Sequence, residues 1–506
     1  METDKNKMVF NTNQRIRLGI WGLGRGMAFY ETCKLLNIDV VAGCDYNEHM
    51  RKNFLEHNPD AFATDNIDEL LAQDIDAVLV ATFFPAHAND VIKCLEAGKH
   101  VLSEVASFMT LAEGVRLVEA VEKHGLVYNL AENYPFTPEN MYLKRKWQEG
   151  LFGELMYAEF DYVHEIRPLA YVYLDGLPVK PGNTAHNWRS WLSFHYYCTH
   201  SLGPIMNITG LRPTRVVSLP SEPTLPGFLN KGCQGMGNAT PSLISMSNGS
   251  VIRNLMGGTT NDSHMQRLWG TRGASENGCG GGLNLRLGGR GDSPKFAVNP
   301  SLDELGELAK NTGHGGGDFW VLYYFAREIL YGTPGPFDVY TGADVTIAGI
   351  QAYRSAMNNG EPMDIPDFRD PDIREKYRND NWVQESFFAK KKVFPEGDDL
   401  NITCDFTNTM SQLISKSTLY RAYTDWYSVK NEVMDKSNII KILNDLIAAL
   451  PELKEIYKKA RIIADAYRDS EGARVLREML ELGDEEIVMQ DDFIKILEEQ
   501  LKELNS

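Results

Sequence analysis

Short apolar runs alternate with stretches of helical spacing over the first 133 residues. The first run ends at Gly22. The other predicted strands span residues 39–44, 76–82, 99–104 and 126–131, and predicted helices at 87–97 and 111–124 lie between them. Glycines stop both helices, at Gly98 and Gly125. Such alternation predicts a parallel, doubly wound sheet.

The pattern changes after Tyr134. A connecting helix at 139–150 is followed by segments with alternating apolar residues at 155–162, 215–219, 242–247 and 250–256. These predict strands of an antiparallel sheet, and the glycine-rich stretch Gly270–Gly291 predicts a loop. Helices are expected at 319–331 and 341–358. Residues 419–506 are charged, amphipathic and almost entirely helical in pattern, with no chemical motif.

The turn after the first strand carries Gly22, Gly24 and Gly26, and the second strand ends in Asp45. A strand, a glycine turn, a helix beginning near Met27 and an acid about twenty residues on are typical of a dinucleotide-binding unit. Gly24 would let the backbone approach a pyrophosphate at the helix N-terminus. Because a carboxylate at Asp45 accepts hydrogen bonds from ribose hydroxyls and repels a 2′-phosphate, the expected cofactor is NAD rather than NADP.

The fold class that follows is α/β. We expect a Rossmann NAD-binding domain at 1–134, an α+β substrate-binding domain with an open antiparallel sheet at 135–375, and a mostly helical C-terminal extension at 376–506. The length of 506 residues agrees with more than one domain.

Net charge, apolar runs and cysteine positions limit the binding partners and the cellular compartment that are expected. The net charge of −18 argues against nucleic acid or an anionic membrane as partner, because both need a basic surface. No apolar run approaches transmembrane length, and the first residues lack the apolar stretch of a signal peptide. The seven cysteines are scattered without a CxxC pair, so neither a disulfide framework nor a metal site is expected. A reduced, cytoplasmic protein is the expectation.

Four further segments resemble motifs of one protein superfamily. Thr82–His87 is similar to a loop over the cofactor, Glu104 to the glutamate of a Glu-Lys-Pro motif, and Glu132–Asn133 to an acid–amide pair near the nicotinamide. With Asn187-Trp188-Arg189, they resemble the Gfo/Idh/MocA superfamily over roughly residues 15–370. The resemblance implies a homo-oligomer that acts on a small sugar or glycoside. It also implies a set of cofactor-binding residues, namely Gly22, Gly24, Arg25, Gly26, Asp45, Thr82, Pro85, His87, Glu104, Asn133, Trp188 and Arg189.

The chain departs from the dehydrogenases of this superfamily at two positions. These enzymes use the motif lysine, and an Asp and a His four residues apart on a helix, for proton transfer. Here Val105 replaces the lysine, and Tyr196 stands four residues before His200.

Several motifs instead resemble the NAD-dependent glycosidases of the superfamily, such as bacterial α-N-acetylgalactosaminidases. They are Tyr197-Cys-Thr-His200, the strand end Tyr162-Val-His164-Glu165, the turn Gly270-Thr-Arg-Gly273, and Gly313-His314-Gly-Gly-Gly-Asp318-Phe319.

Such glycosidases oxidise the third sugar carbon, remove the proton at the second carbon, eliminate the glycosidic group, add water and reduce again. Histidine and a tyrosine near positive charge suit the two bases. The resemblance implies His200 as base at the oxidised hydroxyl and Tyr162 at the second carbon. Tyr197 and His314 would orient the sugar, with His164 and Asp318 as further substrate contacts.

Other functions stay open from the residues alone. The alternative is a sugar or cyclitol dehydrogenase with net NADH release, and a third possibility is a non-catalytic sugar or nucleotide sensor. Asp161 and Glu165 could form the carboxylate pair of a conventional glycosidase, whose separation the sequence does not give. A metal site built from His164, Glu165 and His200 has no spacing that fixes a ligand geometry.

Overall fold

The computed structural model describes residues 9–171, 189, 192–228, 237–259, 262–277, 282–384, 400–433 and 436–505. Its first part is a six-stranded sheet in the order β3-β2-β1-β4-β5-β6, with all neighbours parallel. The strands are β1 (Ile16–Trp21), β2 (Ile38–Cys44), β3 (Phe62–Thr64), β4 (Ala77–Val80), β5 (His100–Ser103) and β6 (Tyr128–Leu130). The strand order reverses between β1 and β4, and ligands of such sheets bind at the carboxyl ends of the strands beside this point.

Helices cover both faces of this sheet and follow its strands in turn. They are α1 (Leu23–Gly26), α2 (Tyr30–Cys33), α3 (Glu48–His57), α4 (Ile67–Leu71), α5 (His87–Glu96) and α6 (Leu111–His124). Helix α6 has the limits that the sequence predicts, because its end signals are local. Thr110 and Glu113 form a capping box at its start, and Gly125 ends it in the left-handed conformation with φ 61°. The predicted doubly wound sheet is confirmed.

A connecting helix, α7 (Pro138–Gln148), leads to a nine-stranded sheet in the order β14-β13-β12-β11-β7-β10-β9-β8-β15. Its strands are β7 (Leu155–Val163), β8 (Pro213–Ser218), β9 (Ala239–Met246), β10 (Val251–Gly257), β11 (Gln266–Gly270), β12 (Gly273–Asn277), β13 (Leu283–Leu287), β14 (Lys295–Val298) and β15 (Met363–Asp364). The sheet is antiparallel as predicted, except that β7 and β10 run parallel. One parallel pair makes it a mixed sheet.

The prediction of a loop over Gly270–Gly291 is wrong. Strands β12 and β13 lie in this stretch and pair with each other, with Ser275 opposite Leu285. Leu283 and Leu285 are buried against the sheet core. Glycine and serine interrupt the alternation of apolar and polar residues in this stretch. The strands form through pairing with neighbouring strands rather than through side-chain propensity.

The helices of the second part pack on the nine-stranded sheet and against the first domain. They are α8 (Arg167–Ala170), α9 (Cys198–Thr209), α10 (Glu304–Ala309), α11 (Gly317–Tyr331), α12 (Val339–Met357) and α13 (Pro371–Glu375). A 3-10 turn, Phe194–Tyr197, immediately precedes α9. Helix α9 lies against β7 and β10. It therefore brings its first turn to the end of β7.

Helices predominate in the described C-terminal region, as predicted. They span Leu400–Ser428, Ser437–Ala466, Glu471–Leu482, Glu485–Val488 and Phe493–Asn505. Their shared core includes Leu443, Tyr457, Leu476 and Leu497, all fully buried. Among the described helices of the whole chain, none is long and apolar enough to cross a membrane.

Candidate active site

The glycine turn after β1 is packed tightly on one side and open on the other. Gly22 has φ 98°, and a Cβ there would lie 2.2 Å from the carbonyl oxygen of Ala81, so only glycine fits. A Cβ at Gly26 would lie 2.4 Å from Ile20, whereas a Cβ at Gly24 would meet no atom within 4 Å. This open side fits a pyrophosphate that approaches the backbone. The helix begins at Leu23, four residues earlier than predicted.

Asp45 lies beside this turn at the end of β2. Its carboxylate accepts hydrogen bonds from the backbone N–H groups of Leu23 and Asn47, both at 2.8 Å. Burial raises the pKa of Asp45, and these two hydrogen bonds act against that shift. The carboxylate is thus fixed at the edge of the crevice, where the sequence places the ribose contact.

The loop after β4 carries Thr82, Pro85 and His87. The Thr82 hydroxyl donates to Asp90 at 2.6 Å. His87 is buried, and its ring nitrogens lie 3.0 Å from the carbonyl oxygen of Ala106 and 3.1 Å from that of Thr82. Because both nitrogens face the chain's own carbonyls, His87 supports the loop. We expect neighbouring atoms of the loop, rather than this imidazole, to contact a cofactor.

Arg25 joins the glycine turn to the second domain. Its guanidinium donates to Glu104 at 2.8 Å and to both oxygens of Asp318, at 2.9 and 3.1 Å. Asn133 and His314 also contact the Asp318 carboxylate, at 2.9 and 3.1 Å. Burial alone would raise the pKa of Asp318, but the His314 hydrogen bond and the Arg25 guanidinium outweigh it and hold the pKa well below its usual range.

This network bears on the predicted role of Asp318. The sequence assigns it to the substrate, yet its side chain is only 1% exposed and its oxygens are engaged by three neighbouring side chains. We expect Asp318 to act through Arg25, Asn133 and His314 rather than to touch the sugar. His314 itself is partly exposed and remains available to a ligand.

His200 stands on the first turn of α9 with one ring nitrogen fixed. Its Nδ1 lies 2.9 Å from both oxygens of Glu132, which is fully buried. A carboxylate in this position holds Nδ1 as the donor and leaves Nε2 able to accept a proton. Glu132 follows β6 and also accepts from the backbone N–H of Tyr134 at 3.1 Å. The pair has the orientation that a general base requires.

Three tyrosine rings surround the His200 imidazole. Their centroids lie 4.6 Å away for Tyr162, 4.8 Å for Tyr134 and 5.6 Å for Tyr197. The structure therefore brings together the two predicted bases, His200 and Tyr162, and the predicted sugar-orienting Tyr197, although they lie on α9, β7 and the 3-10 turn. Tyr134 is an addition, since the sequence marks it only as a domain limit.

The tyrosine hydroxyls differ in their environments. Burial raises the pKa of Tyr162, and the neighbouring Tyr134 and Tyr197 raise it further, while Arg189 acts in the lowering direction. Burial also raises the pKa of Tyr197, against the effect of Arg189, whose Nε donates to the Tyr197 hydroxyl. Within the described part of the chain, Arg189 thus supplies a positive charge next to the tyrosine cluster. The neighbouring Trp188 lies outside the described residues.

The end of β7 carries a second histidine with a carboxylate partner. His164 Nδ1 lies 2.9 Å from Asp262, which also accepts from the backbone N–H of Glu165 at 2.7 Å. His264 stacks on Tyr162 with centroids 5.1 Å apart and an interplanar angle of 9°. Sequence reasoning missed Asp262 and His264, because no local motif marks them.

Two alternatives from the sequence find no support here. Asp161 faces Arg253 at 2.8 Å on the strand face opposite Tyr162, and Glu165 is bound to Arg167 at 2.9 Å, so the two carboxylates do not line one site. Within the described residues, no group of three or more His, Cys, Asp or Glu side chains could hold a metal ion.

Comparisons with known proteins agree with the motifs. Residues 16–132 match the model of the Gfo/Idh/MocA oxidoreductase family with an NAD-binding Rossmann fold, and residues 299–375 match that of the glycosyl hydrolase 109 C-terminal domain. A glycosyl hydrolase family 109 protein of Shewanella sp. (strain ANA-3) is 28% identical over 395 residues, which cover 70% of this chain and 85% of that protein. A protein named alpha-N-acetylgalactosaminidase from Shewanella oneidensis is 26% identical over 394 residues, with the same coverage.

Solved structures show the same fold. Levoglucosan dehydrogenase in complex with NADH and L-sorbose has a TM-score of 0.59 at 17% identity, covering 70% of this chain and all of that one. UDP-N-acetylglucosamine 3-dehydrogenase from Acidithiobacillus ferrooxidans has a TM-score of 0.53 at 17% identity, covering 68% and 98%. The predicted resemblance to the superfamily, and NAD as cofactor, are confirmed.

Proposed function

We propose that this chain is an NAD-dependent enzyme of the Gfo/Idh/MocA type that cleaves glycosides without net oxidation; the matches of residues 16–132 and 299–375 to the two family models support the proposal. The observation that carries the proposal is the Glu132-held His200 inside a ring of three tyrosines. A dehydrogenase needs one proton acceptor at a hydroxyl. A site with one oriented histidine and adjacent tyrosines can remove both the proton of a hydroxyl and the proton on the neighbouring carbon.

The position of the dehydrogenase aspartate supports this choice. Tyr196 stands there, is buried, and packs between Phe84 and Tyr353 with centroid distances of 5.7 and 6.2 Å. Its side chain therefore belongs to the core and not to the tyrosine cluster. Val105, in the lysine position, also packs against the core. The dehydrogenase aspartate and lysine therefore have no functional equivalent at positions 196 and 105 of this chain.

The two proton acceptors of the proposed mechanism are His200 and Tyr162. The glycine turn at Gly24 and the Asp45 carboxylate would hold NAD⁺, which would supply the hydride acceptor for the third sugar carbon and the hydride donor for the final reduction. His200 Nε2 takes the proton of the hydroxyl at that carbon, with its ring held by Glu132. Tyr162 then takes the proton at the second carbon, which the neighbouring ketone has made acidic, and the glycosidic group leaves by elimination. Water adds to the resulting double bond, and the ketone is reduced.

Tyr162 needs a cation to serve as base, because burial raises the pKa of its hydroxyl. Arg189 supplies one positive charge, and the nicotinamide ring of NAD⁺ supplies a second when bound. Tyr197 already accepts a hydrogen bond from Arg189, so we assign it to orienting the sugar. His164 and His314, both partly exposed, complete the proposed sugar contacts.

The test follows aglycone release and NADH absorbance together, with aryl glycosides of both anomers and NAD⁺. We expect aglycone release without net NADH, and deuterium from solvent at the second carbon of the sugar. An aryl α-N-acetylgalactosaminide is the first substrate to try, because one relative is named alpha-N-acetylgalactosaminidase. Stoichiometric NADH without cleavage would establish the dehydrogenase instead. Neither signal over a broad sugar panel would leave a non-catalytic sensor.

The Tyr162 assignment has its own test. Tyr162→Phe should still form a ketone at the third carbon, yet lose solvent exchange at the second. Tyr197→Phe should keep that exchange and raise the KM for the glycoside. The reverse pattern would move the second base to Tyr197.

We also place the enzyme in the cytoplasm as a homo-oligomer. Support for a reducing compartment comes from Cys33, Cys44, Cys94 and Cys198, which are free and buried in the described part of the chain. Cell fractionation and light scattering coupled to size exclusion test the two statements. Secretion, or a monomeric mass at micromolar concentration, would contradict them.

A further inference from the structure

The C-terminal helices contact one loop of the second domain through both backbone and side chains. Gly227 N–H donates to Glu478 at 3.1 Å, and Arg474 donates to the carbonyl oxygen of Phe228 at 3.0 Å. Arg474 and Glu478 also bind each other at 2.7 Å on the helix Glu471–Leu482. Gly227 has φ 90°, and a Cβ there would lie 2.9 Å from the sulfur of Met479. The loop therefore fits closely against this helix.

The same loop is also bound by the segment that follows β7. Tyr171 donates its hydroxyl hydrogen to the carbonyl oxygen of Gly227, and Arg167 donates to that of Pro226 at 3.2 Å. Arg167 and Tyr171 are fully buried, and the Tyr171 ring lies 5.9 Å from that of Phe406, on the helix Leu400–Ser428. The C-terminal helices thus hold residues 167–171 both directly and through the loop.

Hydrogen bonds carry this restraint back to the substrate-facing end of β7. Arg167 is bound to Glu165 at 2.9 Å, and the backbone N–H of Glu165 donates to Asp262 at 2.7 Å. Asp262 in turn binds the His164 ring at 2.9 Å. Two residues earlier on the strand is Tyr162.

A second route reaches the turn before α9. The Phe228 ring packs edge-on against Phe194 at 6.0 Å, and both rings are buried. Phe194 is the first residue of the 3-10 turn that ends at Tyr197. The turn and the end of β7 deliver Tyr197 and Tyr162 to His200. Both therefore depend on the position of the loop around Gly227.

We infer that Arg474 and Glu478 are positioning residues for the active site, acting through the 226–228 loop to fix Tyr162, His164 and Tyr197. The helical extension is then part of the active-site scaffold, although it lies beyond the second family match, which ends at residue 375. The inference deepens the proposed function and rests on it for the identity of the reaction. Misplacement of reacting groups by about 1 Å can cost about a hundredfold in rate, so a modest shift of the loop is measurable.

The test compares Glu478→Ala with a matched control, Glu485→Ala. Glu485 is also a glutamate of the C-terminal bundle paired with an arginine, Arg461, and neither residue contacts the 226–228 loop among the described contacts. We expect Glu478→Ala to lower kcat/KM about tenfold, chiefly through a higher KM for the glycoside, with NADH binding unchanged. Glu485→Ala should resemble the wild type.

Hydrogen exchange supplies a readout that does not depend on activity. Peptides from residues 155–171 and 192–204 should exchange faster in Glu478→Ala, whereas the sheet that holds β1 and β4 should not change. If Glu478→Ala does not fold, Tyr171→Phe removes only the hydroxyl that binds Gly227 and should show the same pattern more weakly.

The inference and the proposed function fail in different ways. If the wild type forms NADH without releasing aglycone, the proposed function fails, and the same comparison is made on NADH formation. If the wild type is inactive, the exchange rates decide. A kcat/KM for Glu478→Ala equal to that of Glu485→Ala, or a lower rate with unchanged KM and unchanged exchange, overturns the inference.

Discussion

His200 is the side chain on which the proposed chemistry depends most directly. Glu132 holds its Nδ1, and three tyrosine rings lie within 6 Å of its ring. We predict that His200→Ala lowers kcat/KM for an aryl glycoside by about 10²- to 10⁴-fold, the range typical of a general base. NADH binding, measured by fluorescence titration, should be unchanged, because the glycine turn lies on another domain.

The control for this substitution is His57→Ala. His57 lies at the end of α3 and hydrogen-bonds the carbonyl oxygen of Asn53 at 2.8 Å, so its loss should leave turnover intact. Retained activity in His200→Ala would remove His200 from the catalytic assignment.

A second prediction at this scale concerns pH. Burial raises the pKa of Asp90 to about 6, against the hydrogen bond from Thr82. A carboxyl group whose pKa is higher in the folded than in the unfolded protein stabilises the fold at low pH, and this stabilisation is lost as pH rises through the folded value. We therefore expect Asp90→Asn, which keeps an acceptor for Thr82, to gain stability relative to the wild type as pH rises from 3.8 to about 6.

Urea denaturation at pH 4, 5, 6 and 7 measures this difference. Above pH 6 the gain should level off, because the wild-type group is then ionised in both states. A difference in the free energy of unfolding that does not vary with pH would contradict the assignment of a raised pKa to Asp90.

At the scale of elements, two glycines of the turn after β1 have different functions. Gly22→Ala would place a methyl group 2.2 Å from the Ala81 carbonyl oxygen at φ 98°, so we predict loss of stability. Gly24→Ala meets open space, so the protein should fold normally and bind NADH more weakly, since the methyl group would occupy the pyrophosphate side. Thermal unfolding and NADH titration of both variants check this. Unchanged NADH affinity in Gly24→Ala would place the pyrophosphate elsewhere.

The elements differ in how far sequence predicts them. Helix α6 has its predicted limits because Thr110, Glu113 and Gly125 act within one turn of its ends. The Gly270–Gly291 stretch is misread because β12 and β13 form through pairing with other strands. The parallel pairing of β7 with β10, about 94 residues apart in the chain, is likewise invisible to local periodicity.

At the scale of the molecule, the NAD-binding domain and the second domain meet around Arg25 and Asp318. The two residues are 293 positions apart and form a bidentate ion pair. Asp318 has a lowered pKa, so its contribution to stability is present above the unfolded value of 3.8 and is lost as pH falls below it. The contact joins the glycine turn directly to the helix that begins with Gly317.

Ligand binding to the native state should therefore stabilise the whole molecule. At a concentration a hundred times Kd, NAD⁺ is expected to add about 2.7 kcal/mol to the free energy of unfolding. Thermal unfolding with NAD⁺ and with NADP⁺ measures the effect. The shift should be much smaller with NADP⁺, because the carboxylate of Asp45 repels the 2′-phosphate. Equal shifts would contradict the role of Asp45.

The sequence by itself determined the doubly wound first domain, NAD as cofactor and the resemblance to the NAD-dependent glycosidases. Those features depend on short segments whose spacing is fixed along the chain, such as the glycine turn and the Tyr197–His200 spacing. The predicted limits of the three domains and the individual site roles stay predictions.

Tertiary structure alone decided which residues surround His200 and what holds them. Two separate segments supply Glu132 with Tyr134 and Asp262 with His264, and the C-terminal helices hold the loop around Gly227. Each of these contacts joins residues that are distant in the chain. Because such contacts form only when the sheets and helices pack, no local pattern records them.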